Sequence, residues 1–410
     1  MYGKLTERFL KYIEVETGSE RGTESKPSNL RQFDLIHLLA YELQQLGISE
    51  IHITNWGNMY AKIPASAGFE DKKKIGFVTH LDTYPDFKGK VSHPNIIGNY
   101  NGEDVKLGLS GKVLRVSSYP DLVERRGQTL ITTDGSSILG VDGKAGIAEV
   151  MNAVEVILTE ELPHGEFWLA FVSDEEIGEG ATYFEKEKFP VDGAYAVEGW
   201  NVGEIINETF NAAKIVVDIK GHKTHNGRAK GRLVNAQLIG MEINSRLPED
   251  ERPENTEQRE GFYHLRKFDG GVENARMFYE IRDLNTENFR KRIRLVEDIC
   301  KEMDEKHERC SVKTEVSYTY ANVKEILDDH SEMIEMAVKA TKANEVEPIL
   351  CAARGGTMGS RLTYMDIPCP TIGMGGDGYH GVYEHITVEA TETVSQILVD
   401  IIRKFSELGT

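Results

Sequence analysis

Apolar residues recur at helical spacing over residues 5–13, and a second amphipathic stretch predicts a helix from about Pro27, a favourable first-turn residue, to a stop at Gly47. Residues 51–54 and 59–63 predict short strands. KKKIGFVTH (72–80) is an apolar run that stops abruptly in polar residues, as a buried strand of an α/β sheet reads. The same design recurs in EFWLAFVSDEE (166–176), GAYAVEGW (193–200) and IPCPTIGMGGDGYHG (367–381). Open α/β sheets gather their functional groups beyond the carboxyl ends of strands. All four of these segments end among His, Asp or Glu.

Over residues 208–322 the pattern changes. Strand 214–220, helix 234–247, strands 261–268 and 275–281, helix 286–307 and strand 311–320 predict a β-α-β-β-α-β order, the ferredoxin-like arrangement. PEDERPENTEQRE (248–260) is a polar loop within it, and helices are expected again at 331–343 and 387–408. A chain of 410 residues exceeds one ordinary core. The expected organisation is therefore a catalytic α/β domain from 1–207 and 323–410, with 208–322 inserted as a second domain.

Composition narrows the function. With 40% hydrophobic and 28% charged residues the chain is globular. A net charge of -19 argues against nucleic acid and anionic membrane surfaces, which call for clustered Lys and Arg. The opening MYGKLTERFLKYIEVE has no apolar core of the signal-peptide or membrane-span kind, so a cytoplasmic location is expected. Cys300, Cys310, Cys351 and Cys369 form no CxxC pair, which suits reduced thiols.

The candidate chemistry sits at the strand ends. In HLD, alternation puts His80 and Asp82 on one face, so one could bind a metal while the other orients it. Alone, such a pair is more often a structural hydrogen bond. Asp142 in LGVDGKAG precedes a helix and reads equally as a ligand or an ordinary N-terminal carboxylate. The carboxylates of DEE (174–176) repel one another unless solvent screens them or cations or protons compensate. His80, Asp142, Glu176, Glu198 and His380 together supply imidazoles and carboxylates, a mixture that zinc favours whereas calcium takes oxygen alone. One carboxylate must bridge if two metals sit about 3.5 to 4 Å apart, leaving Glu175 as a general base.

In order along the chain, HLDT, TTDG, LGVDGKAGIAE, FVSDEEIGEGA, NETFNAA, GHKTHNGRAKG, EGFYHL, RGGT and YHG resemble the tripeptide aminopeptidases of the M20 metallopeptidase family over nearly the whole length. The resemblance implies a dizinc exopeptidase-like catalytic domain with an inserted ferredoxin-like α+β lid, which often mediates homodimerisation. It implies release of the N-terminal residue from tripeptides. By matching motifs, His80 and Glu198 would bind one Zn2+, Glu176 and His380 the other, and Asp142 both. Asp82 would support His80, and Glu175 would be the base. His225 would assist the carbonyl oxygen, and Arg282 and Arg354 would recognise a substrate carboxylate, which the guanidinium fork binds bidentately. Arg282 beside Asp283 reads equally as an intradomain ion pair.

The chain departs from that pattern at Glu198, where these aminopeptidases carry aspartate, at Met358 in RGGTM, and at Gly143, where a second acid and a cis peptide are usual. A carboxypeptidase or N-acyl amino-acid deacylase sharing the metals is the enzymatic alternative. A catalytically silent peptide-binding scaffold is the alternative of another class.

Overall fold

The computed structural model describes residues 3–108 and 110–407. The chain divides into two compact units. The first takes residues up to Asn207, Ile326–Cys351 and the chain from Thr357 onward; the second takes Glu208–Glu325 and Ala352–Gly356.

An eight-stranded sheet runs in the order Ile51–Ile53, Met59–Ile63, Phe167–Val172, Ile75–His80, Gly193–Gly199, Thr371–Gly373, Glu204–Thr209 and Ile349–Ala353. Its middle is parallel, with Ile75–His80 between Phe167–Val172 and Gly193–Gly199. Every residue of Ile75–His80 and of Phe167–Val172 is buried. Burial on both faces explains why these strands read as unbroken apolar runs rather than as alternation. On one face, the helices Lys4–Ile13, Gln32–Gln45, Val141–Thr159, Ser331–Ala343 and Val388–Phe405 contribute to one core with Phe77, Leu169 and Tyr195. On the other, Val78, Ala170 and Ala196 pack with Phe189, Met358 and Leu362.

The second helix starts at Gln32, not near Pro27. The Lys26–Pro27 peptide is cis, and the backbone N–H and hydroxyl of Ser28 donate to the Asp174 carboxylate, an alternative to helical bonding that holds this segment out of the helix. The expected stop holds, with Gly47 at φ 85° just past the last turn. Between residues 81 and 140 lie strands of two or three residues. Asn95–Ile97 and His385–Thr387 flank Leu130–Thr132, and Val105–Lys106 pairs with Val113–Leu114.

The second unit runs Asn211–Lys220 (strand), Ala236–Ser245 (helix), Phe262–Gly270 and Asn274–Asp283 (strands), Thr286–Lys306 (helix) and Ser311–Tyr320 (strand). The antiparallel sheet places Asn211–Lys220 between Asn274–Asp283 and Ser311–Tyr320, with Phe262–Gly270 outermost, the ferredoxin-like order. Inward Ile215, Val217, Ile219, Met277 and Ile281 share a core with Ile239, Ile243, Phe289, Ile293 and Val296. Asn235 and Asn285 cap the two helices through their side-chain oxygens. Ala352–Gly356 groups with this unit, whereas the sequence reading put all of 323–410 in the first.

Candidate metal centre

His80 ends its strand with Nε2 2.8 Å from Asp142 Oδ1. Its Nδ1 lies 3.1 Å from the Asp82 carbonyl and 3.6 Å from Asp82 Oδ1, so Nε2 is the nitrogen turned into the cluster. Asp82, wholly buried, accepts the backbone N–H of Glu175 at 3.0 Å and of Glu176 at 3.1 Å. Asp142 opens the helix Val141–Thr159 with a non-helical ψ of 103°, and its Oδ2 lies 3.2 Å from Nε2 of His380. The two oxygens of one carboxylate thus face two different imidazoles.

The Asp142–Gly143 peptide is cis. A Cβ at Gly143 would come within 2.6 Å of the His80 ring, so a side chain here would require that ring to shift. Glu176 Oε2 lies 3.1 Å from Nε2 of His380, while its buried Oε1 has no hydrogen-bond partner among the described residues. Tyr84 stacks on His380 at 4.2 Å and 8°. Glu198, near the end of Gly193–Gly199, accepts the backbone N–H of Met358 at 2.7 Å through Oε1 and feels the charges of Glu175, His80 and Asp142.

Protonation behaviour reports the crowding. Burial and the neighbouring Asp142 push Glu176 up to about 8; burial and Glu175 do the same to Glu198. Burial works against charge on His380, yet Asp142 and Glu176 raise it to about 10, and Asp142 and Asp82 likewise raise His80. This many buried anions favour a cation among them, and the unpartnered Glu176 Oε1 together with two inward Nε2 atoms fits a borderline divalent ion. Ligand atoms of His80, Asp142 and Glu176 lie within 4.8 Å of one another.

Glu175 is held through its backbone by Asp82, and its carboxyl is raised by burial, against the charge of His80 and with the help of Asp82 and Asp142. Asp174, the first acid of DEE, turns instead to Ser28 and Gln32. Sequence reasoning missed Tyr84 and Glu384. Glu384 is fully buried and accepts the N–H groups of Gly140 at 2.6 Å and Val141 at 3.2 Å, which anchors the start of the helix carrying Asp142. A single acid in VYEHIT carries no local signal of that contact.

His225, Arg282 and Arg354 lie in the second unit. His225 is exposed and its Nδ1 accepts the N–H of Gly227 at 3.1 Å. Arg282 donates to the Arg354 carbonyl at 3.0 Å, and both guanidinium groups lie over the Phe262 ring. The Arg282–Asp283 ion pair does not form: Asp283 pairs with Arg292 at 2.8 Å. Arg282 reaches Glu280 only at 3.4 Å, and its buried Nε has no hydrogen-bond partner among the described residues. Burial lowers Arg354, and the charge of Arg282 adds to this, although Glu260 opposes it. The second unit therefore places two guanidinium groups side by side, Arg282 paired with Glu280 and Arg354 donating to the Gln258 carbonyl at 3.1 Å and the Thr256 hydroxyl at 3.0 Å.

The model of peptidase family M20/M25/M40 matches residues 133–404, and this chain belongs to that family. Within it, the chain is similar to peptidase T of Clostridium perfringens (strain 13 / Type A), 41% identical over 405 residues, covering 98% of this chain and 99% of that protein. Peptidase T of Escherichia coli (strain K12) is 41% identical over 399 residues, covering 97% and 98%. Among solved structures, a tripeptidase from Staphylococcus aureus matches with a TM-score of 0.78 at 18% identity, over 99% of this chain and 98% of that one. Aminopeptidase PepT from Bacillus cereus matches at 0.77 and 22%, over 98% of each chain, and these likenesses carry the fold.

Proposed function

We propose that this chain is a dinuclear-zinc aminopeptidase that releases the N-terminal residue from tripeptides, in the cytoplasm and as a homodimer. The second unit would serve as lid and dimerisation domain. The observation that carries the reading is Asp142, whose two oxygens face His80 and His380 as a bridging carboxylate would. The near full-length similarity to peptidase T supports the substrate class. His80 and Glu198 would hold one ion, Glu176 and His380 the other, and Asp142 would contribute to both.

When bound, the ions supply Lewis-acid polarisation of the scissile carbonyl and acidify a water. Glu175 would accept a proton from the attacking water and return it to the leaving amine; a raised carboxyl is suited to both transfers. Asp82 fixes the position of Glu175 through its backbone and turns His80 inward. His225 assists the carbonyl oxygen, and the Arg282–Arg354 pair receives the substrate carboxylate.

The test is a panel of di-, tri- and tetrapeptides with free and blocked termini, run beside metal analysis. Tripeptides with a free amine should be cleaved best, with two zinc ions per chain. Equal or faster turnover of N-acetylated substrates would replace this reading with that of an acylase.

A further inference from the structure

A second group of ligating side chains shares no residue with the first. Asp121 lies in the short turn Pro120–Val123, while Asp377 and His385 exchange backbone hydrogen bonds at 3.0 Å in each direction. One ligand atom from each of Asp121, Asp377 and His385 lies within 4.8 Å of the others.

His385 is 2% exposed, and its Nδ1 lies 2.9 Å from the Tyr383 carbonyl. A carbonyl only accepts, so the proton sits on Nδ1 and Nε2 turns toward the carboxylates, the arrangement typical of a metal-binding imidazole. Nε2 is buried and has no hydrogen-bond partner among the described residues; neither has the buried Oδ2 of Asp121. These two atoms are 3.8 Å apart. An N–H···O bond needs roughly 2.7 to 3.2 Å, so no proton joins them directly. Bonds of about 2.0 to 2.1 Å to nitrogen and 2.0 to 2.2 Å to oxygen, meeting at one ion, span the gap with an open angle.

Asp377 sharpens the need for a cation. Burial and the neighbouring Asp121 push its carboxyl up, and its Oδ1 already accepts the N–H of Gly378 at 2.6 Å. Two adjacent carboxylates and an imidazole lone pair are mutually repulsive until something positive stands between them. The Asp121 side chain is 26% exposed, although its Oδ2 is buried.

We propose that Asp121, Asp377 and His385 bind a divalent cation of the zinc or manganese class, separate from any ion in the cluster around Asp142. One imidazole and two carboxylates suit either metal, with water completing the shell. The ion would fasten the segment 377–385, which carries His380, to the turn at Asp121.

The experiment measures zinc bound per chain after equilibrium dialysis against excess Zn2+, for wild type and for the Asp121→Asn/His385→Gln double variant. The variant should bind one equivalent fewer, whatever the wild-type total, so the result does not depend on how many ions the Asp142 cluster takes. Equal stoichiometry in the two proteins would overturn the proposal. Should the variant fail to fold, anomalous scattering at the zinc edge from zinc-soaked wild-type crystals decides. A peak among the three side chains supports the site, and its absence at saturating zinc refutes it.

Discussion

The carboxylate of Asp82 accepts the backbone N–H of Glu175 at 3.0 Å, while the same side chain faces Nδ1 of His80. One buried acid therefore sets both a candidate ligand and the candidate base. Asp82→Ala removes the acceptor of the Glu175 and Glu176 N–H groups and the carboxylate beside His80, while the backbone carbonyl 3.1 Å from Nδ1 stays. We expect metal affinity or turnover to fall about 10- to 100-fold, the usual effect of losing a partner of a metal-binding histidine. Zinc titration and kcat on one tripeptide would measure it, and unchanged values would reduce Asp82 to a packing residue.

Glu175→Gln keeps the size of the side chain and removes its capacity to take a proton. Turnover should drop about 10²- to 10⁴-fold with metal content intact. A rate within a few-fold of wild type would mean that another group is the base.

The two close guanidinium groups of the second unit make a prediction about substrate ends. Arg282→Ala or Arg354→Ala should raise KM for free-acid tripeptides and leave C-terminal amides nearly unaffected. Equal losses on acid and amide would assign both arginines to holding Phe262 and its neighbours.

Glu198 is fastened by the N–H of Met358, so one of its oxygens is already committed. Glu198→Asp should keep the metal, since both carboxylates bind zinc at about 2.0 to 2.2 Å. The shorter side chain should shift the ratio of tripeptide to blocked-peptide hydrolysis toward tripeptides. Competing-substrate rates measure that ratio, and no change would leave Glu198 a ligand with no part in specificity.

Glu149 bears on stability. Both its oxygens are buried without a hydrogen-bond partner among the described residues, and burial holds its carboxyl well above the ordinary 4.5. Between about 4.5 and its raised folded value, the folded state binds more protons than the unfolded state. Stability contributed below that window is therefore lost as pH rises through it. Glu149→Gln should melt higher than wild type at pH 8, with the gap narrowing toward pH 5. A gap that does not depend on pH would contradict this.

Much of this was legible because buried parallel strands announce themselves. The runs ending at His80 and near Glu176 and Glu198 are apolar up to an abrupt polar stop, and the second unit kept its periodicities of 2 and 3.6. Other features were hidden by distance along the chain. The late start of the helix at Gln32 depends on Ser28 meeting Asp174, and the anchoring of Val141 on Glu384, contacts that no local window contains. The strands around residues 95–132 are too short to establish a period. The open question at Arg282 was decidable from strand geometry, because adjacent residues point to opposite faces and Asp283 therefore meets Arg292.

The parallel ladders of the first unit have a further consequence. His80 stands opposite Val172, and Val78 opposite Ala196. A slip of one residue would carry His80 about 3.3 Å along the sheet and turn its ring to the far side. The sheet thus acts as a ruler whose graduations are Phe77, Leu169 and Tyr195, side chains packed in the core on one of its faces. Tolerance for error at the metal centre is written into that apolar packing. Volume changes there would blur the alignment of ligands before they melted the protein.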